Sequence, residues 1–353
     1  MSRQAPSIAG AGLIALDVLL TPDNKGPQTF AGGTCGNVLA IMAYLGWKSS
    51  PFATLGTDPA ADRIIADLAR FGVSSTNLLR EDSVFTPVII EYLRHDKCGN
   101  PHHRFAMTCP ECGSEFPRPR VAAPRKTELG GFRPNMFFMD RLSASILKLA
   151  DSAAQTGAFV VYEPSVRRDE AHWDEALALA DLVKYSDDRI DSAQLEDHFA
   201  SRDRPTWEIQ TRGKDGLRFR QWTPKKKTPK WTSSASVSAF NVVDTCGAGD
   251  WCSAGIIDAL GKSPAGKSPG AETMRDAVKQ GQALAAWSIA YEGARGGMYL
   301  ATPELARKSA TALLRGSAGA SPVLRPAAKR PTRAAKGDVA GVCAIGACRS
   351  DSR

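Results

Sequence analysis

The 353-residue chain predicts an α/β fold, a mainly parallel central sheet with helices on both faces. Three observations carry that expectation. Short apolar strand-like segments alternate with longer amphipathic ones through the middle of the chain. A glycine-rich turn at residues 247–249 lies between an apolar pair and a second apolar run, the pattern of a strand end, a turn and a helix start. A composition 43% hydrophobic and 23% charged is an ordinary globular balance with material for a large core.

The elements follow in order. Residues 8–20 read as one first β-strand, with Asp17 as a lone carboxylate inside it. This segment has a charge in its middle and no basic start, so it is not read as a signal peptide. No apolar run has the length of a membrane span, so a soluble, cytoplasmic protein with no membrane partner is expected. Residues 135–139 predict a strand, 143–156 a helix, 158–162 a strand, 170–180 a helix and 182–185 a further strand, with a helix at 273–291. Ligands of such sheets lie at the carboxyl ends of the strands, so Asp140, Glu163 and Asp244, at expected strand ends, should ring one cleft. Residues 84–121 break the alternation: an extended run at 86–93 is followed by a polar Cys/His segment.

Asp244-Thr245-Cys246-Gly247-Ala248-Gly249-Asp250 is the most informative stretch. Backbone N–H groups at a helix N-terminus suit a phosphate or a developing oxyanion. Gly247, Ala248 and Gly249 would offer such groups, and Asp250 at the end of the turn is a candidate base for a hydroxyl held beside the same phosphate. An anion cradle and a base so close together point to phosphoryl transfer to an alcohol.

The heptamer resembles the C-terminal signature of the ribokinase-like (PfkB) sugar and nucleoside kinases. Phe30-Ala31-Gly32-Gly33-Thr34-Cys35-Gly36-Asn37, running into an apolar helix, is similar to the first signature of that family. Leu55-Gly56-Thr57-Asp58, Phe71-Gly72-Val73, Glu163-Pro164-Ser165-Val166-Arg167 and Thr211-Arg212-Gly213-Lys214-Asp215-Gly216 resemble further landmarks, in the family's order over about residues 8–302. The resemblance implies a kinase domain over 1–315 with a small β lid within about 84–125. It implies ATP and Mg²⁺ as cofactors, and a small sugar, sugar acid or nucleoside as substrate. It places Asp17, Gly32, Gly33, Asn37 and Arg167 at the substrate, and Thr211, Gly213 and Thr245 at the nucleotide. Many members carry Asn-x-x-Glu to arrange Mg²⁺; the matching positions here are Ser186 and Arg189, with Asp187 or Asp188 as substitutes. A non-catalytic sugar- or nucleotide-binding regulator on the same fold is the alternative. It is motivated by that altered segment, by Arg212, and by the insert and the basic tail below, and opposed by the intact Asp250. A homodimer through the lid edge is a further expectation.

Cys98, His102, His103, Cys109 and Cys112 fall within one short insert, and Cys109-Pro110-Glu111-Cys112-Gly113 has the form of a metal knuckle. Zinc takes four N/S ligands in a tetrahedron, so Cys98, Cys109, Cys112 and either histidine, His103 foremost, form a candidate structural zinc set. Free thiols in a lid loop are the other reading. From Gly316 to Arg353 the chain holds seven Lys/Arg and two Asp/Glu, a local +5 of the total +8. Rich in Ala, Pro, Gly and Ser, this segment reads as a disordered, solvated tail; nonspecific nucleic-acid binding by its basic charge is the weaker reading.

Overall fold

The structure, a computed structural model, describes residues 5–21, 26–116, 124–165, 170–224, 227–261, 268–316, 342–345 and 348. The chain opens with β1 (Ser7–Ala11), then β2 (Ala15–Leu20) and β3 (Gln28–Gly32). Residues 8–20 are thus two strands, in different sheets, and not one. The cause lies at the break. The Leu13 N–H turns to donate to the Asp140 carboxylate at 2.8 Å, and a Cβ at Gly12 would fall 1.8 Å from that carboxylate. The backbone is spent on a side chain there, and the ladder ends.

α1 (Thr34–Tyr44), β4 (Lys48–Pro51), β5 (Ala53–Leu55), α2 (Pro59–Arg70) and β6 (Leu78–Arg80) follow, then the hairpin β7 (Val88–His95) and β8 (Pro101–Ala106). The expected alternation comes next: β9 (Met136–Met139), α3 (Ala144–Gln155), β10 (Phe159–Tyr162), α4 (Glu170–Leu179), β11 (Leu182–Ser186), α5 (Ala193–Ala200) and β12 (Thr206–Thr211). β13 (Leu217–Trp222) and β14 (Thr232–Ser234) lead to α6 (Ala248–Leu260), α7 (Ala271–Ser288) and α8 (Pro303–Leu314). Several helix starts are written in the sequence. Asp58 before Pro59, Ser143, and Thr302 before Pro303 each accept a hydrogen bond from the backbone three residues on.

The main sheet runs β14-β13-β12-β11-β10-β9-β1-β4, parallel from β4 to β12 and antiparallel at the β13 and β14 edge. Its alternate residues face opposite layers. Phe137, Met139, Val160 and Tyr162 pack with α3, α4 and α5. Met136, Phe138 and Val161 pack with α1, α6, α7 and α8. Helices therefore cover both faces, as the alternation predicts. α6 and α7 approach closely through glycines: a Cβ on Gly255 would fall 2.7 Å from the Gly281 backbone.

A second sheet, β3-β2-β7-β8, stands apart from the first. The segment 84–125 supplies only two strands of this sheet, β7 and β8. The other two come from the chain's start, because β2 pairs parallel to β7 and antiparallel to β3. In that register Asp17, Glu91 and His103 share one face. Of the segment expected to be disordered, 317–341 lies outside the described residues. Within that segment Val342–Ile345 forms a short 3₁₀ turn with Val342 buried.

Candidate active site

The heptamer is not preceded by a strand. Val243 and Asp244 instead donate their N–H groups to the Ile289 carbonyl, at 2.8 and 3.1 Å, just beyond the end of α7. Asp244 then holds the turn with its own carboxylate, which accepts from the N–H groups of Cys246 and Gly293, both at 2.7 Å. Asp244 is fully buried and is a fixture of the turn. Gly247 caps α6 with φ 72°, and a Cβ there would fall 2.6 Å from Ala294. A Gly247→Ala change meets both the left-handed strain and the contact. It is expected to cost about 1–3 kcal/mol in urea unfolding and to displace the turn; an unchanged midpoint would show that the turn tolerates a side chain.

Asp250 lies in the first turn of α6, beside N–H groups that have no partner within the helix. Its carboxylate accepts from the Asn37 side-chain amide at 2.8 Å. Burial, with Glu163 nearby, pushes the Asp250 pKa well above the carboxylate range, while Asn37 opposes the shift. Asn37 is buried on α1, which Gly33 caps with φ 77°. The Asp17 carboxylate lies over this turn, where the Gly33 N–H helps hold its pKa down, and a Cβ on Gly32 would fall 1.8 Å from that carboxylate. Only glycine lets Asp17 lie there. Burial, then Glu91, raises Asp17 to a pKa of about 8. The two glycine motifs, far apart in sequence, thus meet through Asn37 and Asp250, with Asp17 over the Gly32–Gly33 turn.

Around them stand the carboxyl ends of the parallel strands. Glu163, after β10, pairs with buried Lys184 at 2.6 Å and accepts from Ser253 on α6. Asp140, after β9, has a pKa raised to about 6, by burial first, while Arg141 and the Leu13 N–H oppose it. Asp140 and Glu163 therefore join Asp250 as expected, though Asp244 approaches from a loop. Motif spacing does not single out Lys184. Its signal in the sequence is a lone cation inside the apolar strand β11, which needs a buried partner. Arg167 lies outside the described residues.

On the nucleotide side, Thr211 ends β12 in register with Ser186, Gly213 follows with φ 51°, and Thr245 is exposed at the start of the α6 turn. Asp187, Asp188 and Arg189 are exposed just past β11.

The proposed ligand set Cys98, His103, Cys109 and Cys112 is not assembled. Cys98 is exposed in the β7–β8 turn, where its N–H donates to Asp96. His103 points the other way. Its ring nitrogens lie 2.6 Å from Glu91 and 2.6 Å from Asp244, an ionic contact at angles outside the hydrogen-bond range. The physical reason is strand alternation: His103 and Glu91 share the sheet face turned to the Asp244 loop. Cys109 and Cys112 do stand together, with partners considered below.

The pfkB family carbohydrate kinase model matches residues 14–299. The chain belongs to the pfkB family of carbohydrate kinases. No match was found among curated protein sequences. Among solved structures it is similar to aminoimidazole riboside kinase from Salmonella enterica, solved with aminoimidazole riboside and an ATP analogue. Identity is 18%, TM-score 0.63, with 86% of this chain and 99% of that one covered. It is similar to the Methanocaldococcus jannaschii nucleoside kinase at 17% identity and TM-score 0.64, covering 86% and 98%. It is similar to fructokinase with bound ATP from Xylella fastidiosa at 17% identity and TM-score 0.64, covering 88% and 98%. At such identities these structures establish the ribokinase-like fold. Among the described residues no helix of this pfkB kinase is long and apolar enough to cross a membrane.

His103 ties strand β8 to the Asp244 turn. Burial works against its charge, but Asp244 and Glu91 outweigh burial and raise the pKa to about 9. The folded value lies above the unfolded 6.5, so this tie contributes fully below about pH 6.5 and is lost as pH rises through about 9. Wild type should therefore exceed His103→Gln in thermal midpoint at pH 6, with the gap closing towards pH 10. Taking the difference cancels the titration of Asp17, present in both. A gap constant with pH would show that folding does not shift the His103 pKa.

Proposed function

We propose that this chain is an ATP-dependent kinase that phosphorylates a hydroxyl of a small sugar, sugar acid or nucleoside. The observation that carries the reading is the Asn37–Asp250 hydrogen bond, which joins the alcohol-side motif to the base-and-anion motif. Asp17, the Gly32–Gly33 turn and Asn37 position the substrate hydroxyls, and Arg167 is assigned to an anionic substituent. The hydroxyl oxygen attacks the γ-phosphorus while its proton passes to a carboxylate oxygen of Asp250, and ADP leaves with the electron pair of the broken P–O bond. The backbone at Gly247–Gly249 and the α6 N-terminus stabilise charge on the transferring group. Thr211, Gly213 and Thr245 line the nucleotide. The neighbours solved with ATP or an ATP analogue support that nucleotide.

Mg²⁺ fits the oxygen donors at this edge of the sheet. Lys184 already neutralises Glu163, so Glu163 would hold the ion through its water shell, with Asp187 and Asp188 on the next strand end. When bound, the ion supplies charge neutralisation across the phosphates. The lid face bearing Asp17 excludes water from the transfer. β8 is an edge strand with Phe105 exposed, which supports dimerisation through the lid; a cytoplasmic location completes the reading.

The test is ATP consumption by the purified chain against a panel of sugars, sugar acids and nucleosides. Turnover with at least one class is expected. Binding of several ligands with no turnover would favour the regulator instead.

A further inference from the structure

The Cys109–Gly113 knuckle follows lid strand β8 as a tight turn. The Cys109 N–H donates to the Ser114 carbonyl at 2.8 Å, the Gly113 N–H donates back to the Cys109 carbonyl at 3.0 Å, and Gly113 has φ 73°. Thr108 bridges to Glu115, and the N–H of buried Phe116 donates to Met107, so the turn is rooted in structure. The far end of the chain comes onto it. The Glu111 carboxylate accepts from the N–H groups of Val342 at 2.9 Å and Cys343 at 3.2 Å, and Val342 is 2% exposed. The sulfurs of Cys109, Cys112, Cys343 and Cys348 all lie within 4.8 Å of one another.

We propose that these four thiolates form a structural zinc site that fastens the C-terminal segment of the chain to the lid. The Cys109 and Cys343 sulfurs are 3.6 Å apart. A disulfide needs about 2.05 Å, whereas a tetrahedron of sulfurs around zinc at about 2.3 Å has edges of about 3.8 Å. All four cysteines are free. The spacings, Cys-x₂-Cys in the knuckle and Cys-x₄-Cys in the tail, are those of paired zinc ligands. Four soft thiolates select zinc over the hard Mg²⁺ of the phosphate site. Four protein ligands leave no open position, so the metal holds structure and does no chemistry. Glu111 adds specificity, since its carboxylate seats the tail backbone beside the knuckle. The cross-link closes a loop spanning most of the kinase domain, and such closure constrains the unfolded chain.

The experiment is metal analysis of the purified full-length chain, beside the double variants C109S/C112S and C343S/C348S and the single variant C98S. About one zinc per chain is expected in wild type and in C98S, falling at least tenfold in each double variant. Cobalt(II) loading should give strong thiolate-to-metal absorption in wild type and C98S, and none in the double variants. C109S/C112S sits beside the lid strands, so the tail pair C343S/C348S decides. Full zinc retained in C343S/C348S would overturn the proposal, as would iron in place of zinc. A metal-free wild type that fails to take up added zinc with all eight thiols titratable would also overturn it.

Discussion

Asp250→Asn is expected to lower kcat by about 10²–10⁴-fold with little change in KM. The amide keeps the shape of the side chain and can still face Asn37, so the substrate and the α6 turn stay in place while the proton acceptor is lost. The same residue sets a pH dependence. Its folded pKa is raised, first by burial and then by Glu163, so the acid limb of kcat/KM should lie above the ordinary carboxylate range. Steady-state kinetics on the best substrate of the panel measures both. A variant within threefold of wild type would remove Asp250 from the base role. An acid limb at the usual carboxylate position would show that the enzyme, before substrate binds, does not hold the Asp250 pKa up.

The second large effect is on stability. Glu208 on β12 is fully buried. It accepts from Tyr185 at 2.5 Å, Arg220 at 2.6 Å and Trp222 at 2.7 Å, and Arg220 stands directly opposite on β13. Arg220 also reaches Glu196 at 3.0 Å and stacks on Trp222 and Trp231. Glu208→Ala leaves a buried guanidinium without its main counter-charge and two buried donors without an acceptor. We expect a loss of about 3–5 kcal/mol in urea unfolding, with Glu208→Gln retaining part of it because the amide oxygen still accepts. The network lies on the antiparallel edge of the sheet, so the chemistry of residual folded enzyme should be little changed. A loss under 1 kcal/mol would mean that Glu196 and water take over the charge.

The two glycine motifs and their order were enough to read the kinase family, because such turns tolerate little change in residue type. Gly32, Gly33 and Gly247 are required where a Cβ would collide with Asp17, Leu13 or Ala294. The βα alternation through β9–β12 was legible for a similar reason: strands buried on both faces must be short and apolar. Other features were not. One apolar run split into β1 and β2 because Asp140, far along the chain, takes up the Leu13 N–H. His103 looked like a metal ligand by spacing, yet its strand face turns it to Glu91 and Asp244. Cys343 and Cys348, read as part of a solvated tail, stand beside Cys109 and Cys112.

The sequence alone therefore determined the α/β class, the family and the residue types of the phosphate turn, since local backbone geometry and strand burial are written in short stretches of residues. Only the tertiary structure decided which distant groups meet: Asn37 with Asp250, Lys184 with Glu163, His103 with Asp244, and the tail thiols with the knuckle. Charges, protons and metals act over a few ångströms of space, whatever the separation along the chain.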